Sequence, residues 1–195
     1  MTYDAVSDPT VRTLQPVDQE ASRRATRLRE LGLGLGPDEE FDAFAQRVAE
    51  AAGGLIGTRE TALAFVNLIT DRQHITGLYV AGQGAGPATV SAGAVDLREG
   101  ARDFGFCPHV VARRKALVLD DVCDYPRFVG NPIVDQLGIR TYLGAPLIDR
   151  TGTTLGTVCV VDREPRPWGH LGLNFIKERA AELMQQIHRR EELRD

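Results

Sequence analysis

Three cysteines, Cys107, Cys123 and Cys159, are the residues of this chain best suited to covalent or redox chemistry. Cys107 is followed by Pro108, which fits the first position of a helix because it has no amide hydrogen to leave unpaired there. A thiol at a helix N-terminus sits in partial positive charge, which favours the thiolate. His109, Arg113, Arg114 and Lys115 follow closely and add positive potential. The competing reading of Cys107 is a small buried hydrophobe. Cys159 lies in the apolar run 158–161 and reads as a core thiol. Cys123 follows Asp120 and Asp121, whose charges disfavour ionisation. A Cys107–Cys123 redox pair stays open, since pairing depends on distances that sequence does not give. Asp120, Asp121 and Asp124 could offer oxygens to a hard cation, but without the spacing of a known loop they read as strand-end charges, and no metal site is assigned.

The segments that must position these groups follow from periodicity. Residues 19–31 favour helix but carry few apolar side chains, so this helix cannot make a core alone. Its arginines Arg23, Arg24, Arg27 and Arg29, interleaved with Glu20 and Glu30, read as a solvated face. After a glycine-rich break, Asp38 has the position and chemistry of an N-cap. Phe41, Phe44, Ala45, Val48, Ala51, Ala52 and Leu55 then recur at three- and four-residue intervals as one apolar helical face. Residues 61–69 and 73–80 read as a hairpin. Residues 82–94 form a long glycine- and alanine-rich loop, and loops of that length are often functional. The spacing predicts a largely helical stretch over 96–115, a short strand over 116–119, and one or two helical turns over 133–137. The clearest hairpin joins 140–149 to 155–162 through Gly152, a residue suited to positive φ. A last helix over 169–193 carries Leu173, Ile176, Ala180, Leu183 and Ile187 in a seam. Its early part is expected on the sheet, and its late part, from Leu183, between subunits, where Leu28 and Leu31 are available as partners.

The order of helix, hairpin, helix, strand, hairpin and helix predicts an α+β fold. An antiparallel sheet of about six strands carries the N- and C-terminal helices on one face, and loops and short helices form a pocket on the other. Residues 1–18 read as a mobile arm, 19–36 as a helix and linker, and 37–195 as one domain. Of 195 residues, 43% are hydrophobic and 26% charged, which excludes a wholly disordered chain. The 27 acidic against 23 basic residues give a net charge of −4. That surface does not favour nucleic acid or an anionic membrane as partner. The absence of an apolar leader or span, and of a disulfide framework, places the expectation in the cytoplasm.

Several blocks of the sequence resemble the GAF domain family. One is Gly105-Phe106-Cys107-Pro108-His109 with Leu117-Val118-Leu119-Asp120-Asp121, Pro126-Arg127-Phe128 and Asn131-Pro132 downstream. Another is residues 139–147 followed by Gly152 and residues 155–162. With the helix over 41–55 and the hairpin over 65–73, the resemblance covers about residues 38–190. It implies a sensory or regulatory module without catalytic activity. Such a module binds a small molecule or senses redox state, and signals through its terminal helices to a protein partner, as a homodimer. The cyclic-nucleotide signature of the family is not found. Pro108 separates Cys107 from His109, unlike the adjacent Cys-His pair of bilin-binding members. The cysteines do not sit in the contexts used by free methionine sulfoxide reductases, and no motif marks a haem ligand. The cofactor and ligand are therefore left unknown. The resemblance implies a pocket flanked by His74, Tyr79, Phe104, Phe106, Cys107, Phe128, Asn131 and Tyr142. The alternatives are a thiol enzyme or redox sensor centred on Cys107, and a ligand-free dimerisation adaptor with a filled core.

Overall fold

A computed structural model describes residues 17–82, 98–100 and 104–194. Residues 1–16 of the arm expected over 1–18, and residues 83–94 of the loop expected over 82–94, lie outside the described residues. Helices are α1 (Ala21–Glu30), α2 (Glu39–Leu55), α3 (Cys107–Arg113), α4 (Pro132–Leu137) and α5 (Gly169–Glu192). Strands are β1 (Leu63–Ile69), β2 (Gln73–Val80), β3 (Glu99–Gly100), β4 (Leu117–Leu119), β5 (Thr141–Ile148) and β6 (Thr154–Asp162). The antiparallel sheet runs β3-β2-β1-β6-β5-β4. Five strands form its body, and β3 adds two residues at one edge. The α+β architecture is the one expected. The helical stretch expected over 96–115 is not: residues 99–100 pair with β2, and α3 begins only at Cys107. Gly105, at φ +83°, turns the chain just before that helix, a conformation a glycine adopts without strain.

Each strand of the sheet centre is buried on both sides. Along β1, Ala64, Val66 and Leu68 enter one core, while Leu63, Phe65 and Ile69 enter the other. The first core lies under α1, α2 and α5. The second lies under α3, α4 and two single-turn 3-10 helices, Val122–Asp124 and Pro126–Phe128. This division follows from the period of two along a strand.

Helix α2 starts where Asp38 accepts from the Phe41 amide at 3.1 Å. Phe41, Phe44, Ala45, Val48 and Ala52 are buried, whereas Ala51 and Leu55 are exposed and Ala49 and Gly53 are buried instead, so the buried stripe is turned around the helix from the one the sequence suggests. The helix also closes an edge. Strand β2 extends beyond its short neighbour β3, leaving backbone groups that water or another chain would take. Thr76 O accepts from the Asp38 amide at 2.8 Å, and the Leu78 amide donates to Asp42 at 2.6 Å. Between them Gly77 lets the helix in: a Cβ there would lie 2.5 Å from the Phe41 carbonyl oxygen.

Helix α1 leaves Arg23 and Arg29 exposed as expected, but its other two arginines are not solvated. Arg24 is fully buried and donates to the Asp18 carboxylate and to Thr154 O. Arg27 bonds Asp149, in the turn after β5, and Glu191 of α5. Arg190 of α5 bonds Asp38 and Glu40 at the start of α2. The three helices are thus tied by two guanidinium groups. The seam of α5 is used within the chain: Ile176, Ala180, Leu183 and Ile187 are all buried in the core they share with α1 and α2. The late seam therefore packs on its own domain rather than standing open for a second subunit. Trp168 starts α5, donating to Thr141 Oγ1 at 2.8 Å, while Asp120 accepts from the Trp168 amide at 3.1 Å. Asp121 pairs with Arg140.

Two measurements check this arrangement. Gly77→Ala should cost about 1–3 kcal/mol in urea unfolding, because main chain cannot yield to the new methyl. Gly54→Ala, on α2 but facing open space, should instead add about 0.5–1 kcal/mol. Burial raises the Asp149 carboxyl, but Arg27 and the Thr151 and Thr153 donors outweigh it and hold it below the usual range. A depressed carboxyl contributes stability that is fully present above its unfolded value, about 4, and is lost as pH falls through the folded value. Asp149→Asn should then cost about 1–3 kcal/mol at neutral pH, with the difference from wild type vanishing in acid where both side chains are neutral.

Candidate functional site

The loop-facing side of the sheet holds a buried polar cluster at its centre. Asn67 of β1 and Thr157 of β6 are register partners, both fully buried. Two residues further along β6, Cys159 occupies the same face. Strand β5 reaches the cluster through Tyr142, whose ring lies over Gly144: a Cβ on that glycine would fall 2.2 Å from the Tyr142 hydroxyl oxygen. Helix α3 brings Cys107 down onto the group. Its sulfur lies 3.4 Å from the Tyr142 hydroxyl and 3.7 Å from the Cys159 sulfur.

Cys107 is the first residue of α3 and Pro108 the second, one place later than expected. Its sulfur points into the fold, and Cys107 is 2% exposed. Burial raises this thiol, but Cys159 and Tyr142, which touch it, and the nearby polar side chains of Thr157 and Asn67 bring it down to about 6. The same contact has the opposite effect on its partner. Burial and the neighbouring Cys107 push the Cys159 thiol well above its ordinary value, and burial does the same to the Tyr142 hydroxyl. Cys107 is the group of the three that ionises first.

Hydrogen bonding in the cluster is incomplete. Asn67 Nδ2 donates to Gln73 Oε1 at 2.7 Å, and Gln73 Nε2 donates to the Phe104 carbonyl at 2.6 Å. Asn67 Oδ1 and Thr157 Oγ1 are buried and reach no partner of ordinary hydrogen-bond geometry among the described residues. A buried polar atom left unpaired costs free energy, so natural cores rarely keep two on adjacent partners.

The eight pocket residues expected from the sequence divide. Phe106, Phe128 and Tyr142 come together, with ring centroids 4.9 Å apart for Phe106 and Phe128 and 5.1 Å for Phe106 and Tyr142. All three are buried, and they pack on one another as core. Cys107 lies beside them, and Phe104 packs on their edge, half buried. Asn131 is close by, but its side chain is used structurally. Its Oδ1 accepts from the Gly105 and Ile133 amides, and its Nδ2 donates to the Gly105 carbonyl. Tyr79 and His74 are on the wrong side of the sheet. Tyr79 packs in the helix-side core, and Glu60 accepts from its hydroxyl and raises it to about 12. His74 pairs in register with Leu68, a helix-side residue, and contacts Thr70 at 2.9 Å. The bulge between Val66 and Asn67 in the β1–β2 ladder shifts which β2 residues face each core, and no pattern in the sequence marks it.

Asn67, Gln73, Thr157 and Cys159 are the site residues that the sequence reading passed over. Asn67 and Thr157 carry a signal, since each is a polar residue at an inward position of an apolar strand, whereas Gln73, at the polar start of β2, carries none. Cys123 is exposed, so the cysteine facing Cys107 is Cys159 and not Cys123.

Comparison with known proteins agrees with this architecture. A stretch of 96 residues is 35% identical to a cyclic di-GMP phosphodiesterase of Pseudomonas aeruginosa; it is 48% of this chain but only 16% of that protein. Among solved structures, a GAF domain from an Acinetobacter phosphoenolpyruvate-protein phosphotransferase superposes with a TM-score of 0.55 at 15% identity, covering 89% of this chain and 95% of that one. The free methionine-R-sulfoxide reductase of Neisseria meningitidis gives a TM-score of 0.56 at 14% identity, covering 91% and 95%. The GAF3 domain of a Synechocystis protein gives 0.57 at 14%, covering 78% and 94%. Identities this low speak to fold alone. The GAF domain family model matches residues 40–187, most of the chain, and the chain therefore belongs to the GAF domain family.

Proposed function

We propose that this domain is a non-catalytic cytoplasmic sensor that takes a small polar molecule against the loop-facing side of its sheet and reports through α1 and α5 to a protein partner. GAF domains are generally sensory or regulatory, and the relative with the 35% identical stretch is a signalling enzyme by its name. Among the described residues, no helix is long and apolar enough to cross a membrane. The observation that carries the reading is the unpaired Asn67 Oδ1 and Thr157 Oγ1. A ligand with a donor for each would complete hydrogen bonds that the fold leaves open.

The output end has a physical basis. Residues of β6 alternate between the two cores, so Val158 and Val160 touch the helix side while Thr157 and Cys159 face the cluster. The same strand starts at Thr154, whose carbonyl accepts from buried Arg24 of α1. A ligand that preferred one placement of β6 would also prefer one placement of the helices. That preference, not tight binding, is what shifts a population.

Thr157→Val keeps shape and removes the orphan hydroxyl. It should leave stability unchanged or raise it by up to about 1 kcal/mol, since an unpaired buried group is lost. In a thermal-shift screen of small polar metabolites, at least one compound should raise the melting temperature of the wild type, and Thr157→Val should weaken its binding at least about tenfold. A hit that binds Thr157→Val equally well, or a screen in which no compound stabilises the wild type, rejects the reading.

A further inference from the structure

We propose that Cys107 and Cys159 form a working dithiol that a small hydroperoxide closes to a disulfide, fastening α3 to the centre of the sheet. The sulfurs already lie 3.7 Å apart, one on the first turn of a short helix and one on the strand beneath it. A disulfide bond is about 2.0 Å long, so closure asks for an approach of under about 2 Å. A helix of seven residues, entered through Gly105, is the element best able to supply it. Nor is this an inert pair in an oily core. The Tyr142 hydroxyl touches the Cys107 sulfur, and the unpaired Asn67 and Thr157 oxygens share the same face. The two thiols differ as such chemistry requires: Cys107 ionises first, while Cys159 keeps its proton.

The chemistry balances with a hydroperoxide as the only oxidant. The Cys107 sulfur attacks one peroxide oxygen, and the O–O bond breaks. The other oxygen leaves as water or alcohol, carrying the proton that the Cys107 thiol gave up, and Cys107 becomes a sulfenic acid. The Cys159 sulfur then attacks the Cys107 sulfur. The S–S bond forms, the S–O bond breaks, and the hydroxyl departs with the Cys159 proton as water. Two electrons pass from the sulfur pair to the peroxide. Both thiols are buried, which favours an oxidant of the size of hydrogen peroxide over larger disulfides. No ligand in the cluster is needed, so this chemistry stands apart from the small-molecule reading.

The test uses the full chain with Cys123→Ser, which removes the exposed thiol. The native protein is treated with hydrogen peroxide, the excess is destroyed with catalase, and the chain is unfolded in iodoacetamide. The expected product takes up no alkyl group, is lighter than the reduced chain by two hydrogen atoms, and yields a Cys107 peptide linked to a Cys159 peptide. Dithiothreitol should restore two alkylation sites. Adding Cys159→Ala should stop the reaction at a dimedone-trapped sulfenic acid on Cys107. The wild-type pairing is read independently of whether that variant folds. Two alkylated thiols after peroxide, or Cys107 carried on to sulfinic acid with no linked peptide, overturns the proposal.

Discussion

A sheet buried on both faces has nowhere to put an unneeded polar atom, and that constraint governs this molecule. At the centre of β1 and β6 no side chain meets water, so every polar group there must find a partner or stand for something other than packing. Most do find one. Thr141 donates to the Leu119 carbonyl and accepts from Trp168, and Asn131 uses its side chain on Gly105 and the start of α4. Asn67 and Thr157 do not, and the two thiols lie on the same face. What sets the loop-facing side apart is that its two unpaired oxygens are register partners on adjacent strands and share their face with a thiol pair.

The helix-facing core is finished by different means. Its apolar contacts come from α2 and α5, and its polar closures lie at the rim, where Arg24, Arg27 and Arg190 bind carboxylates from separate elements. Arginine suits that work because its planar fork can satisfy two partners at once. The rim thereby links the start of α2, the end of α5, α1 and the turn after β5 into one assembly. Anything that moves β6 must move against this frame.

Much of this was legible in the sequence, for identifiable reasons. The helix at 39–55 declared itself through its apolar spacing and the Asp38 cap, and the β5–β6 hairpin through Gly152, which does adopt φ +75°. The aromatic group of Phe106, Phe128 and Tyr142 was also found, since residues that large in short segments must meet somewhere. Facing directions were harder. Tyr79 and His74, five residues apart, would face opposite sides of an unbroken strand; one extra residue in β2 puts both on the helix side, and bulges leave no compositional mark. The arginines of α1 looked solvated because their carboxylate partners, Asp149 and Glu191, are more than a hundred residues away in sequence. The thiol pair was missed for the same reason: only the fold puts residue 107 against residue 159.

Alternation along β6 has a wider meaning. Odd-numbered positions from Thr157 to Val161 belong to one interior and even-numbered positions to the other, with a single backbone between them. Descendants of this domain could change the chemistry of the loop side at 157, 159 and 161 while the supports under the helices stay as they are. One strand thus carries two separately editable texts, and the sharing of a spine lets a change written in one be felt in the other.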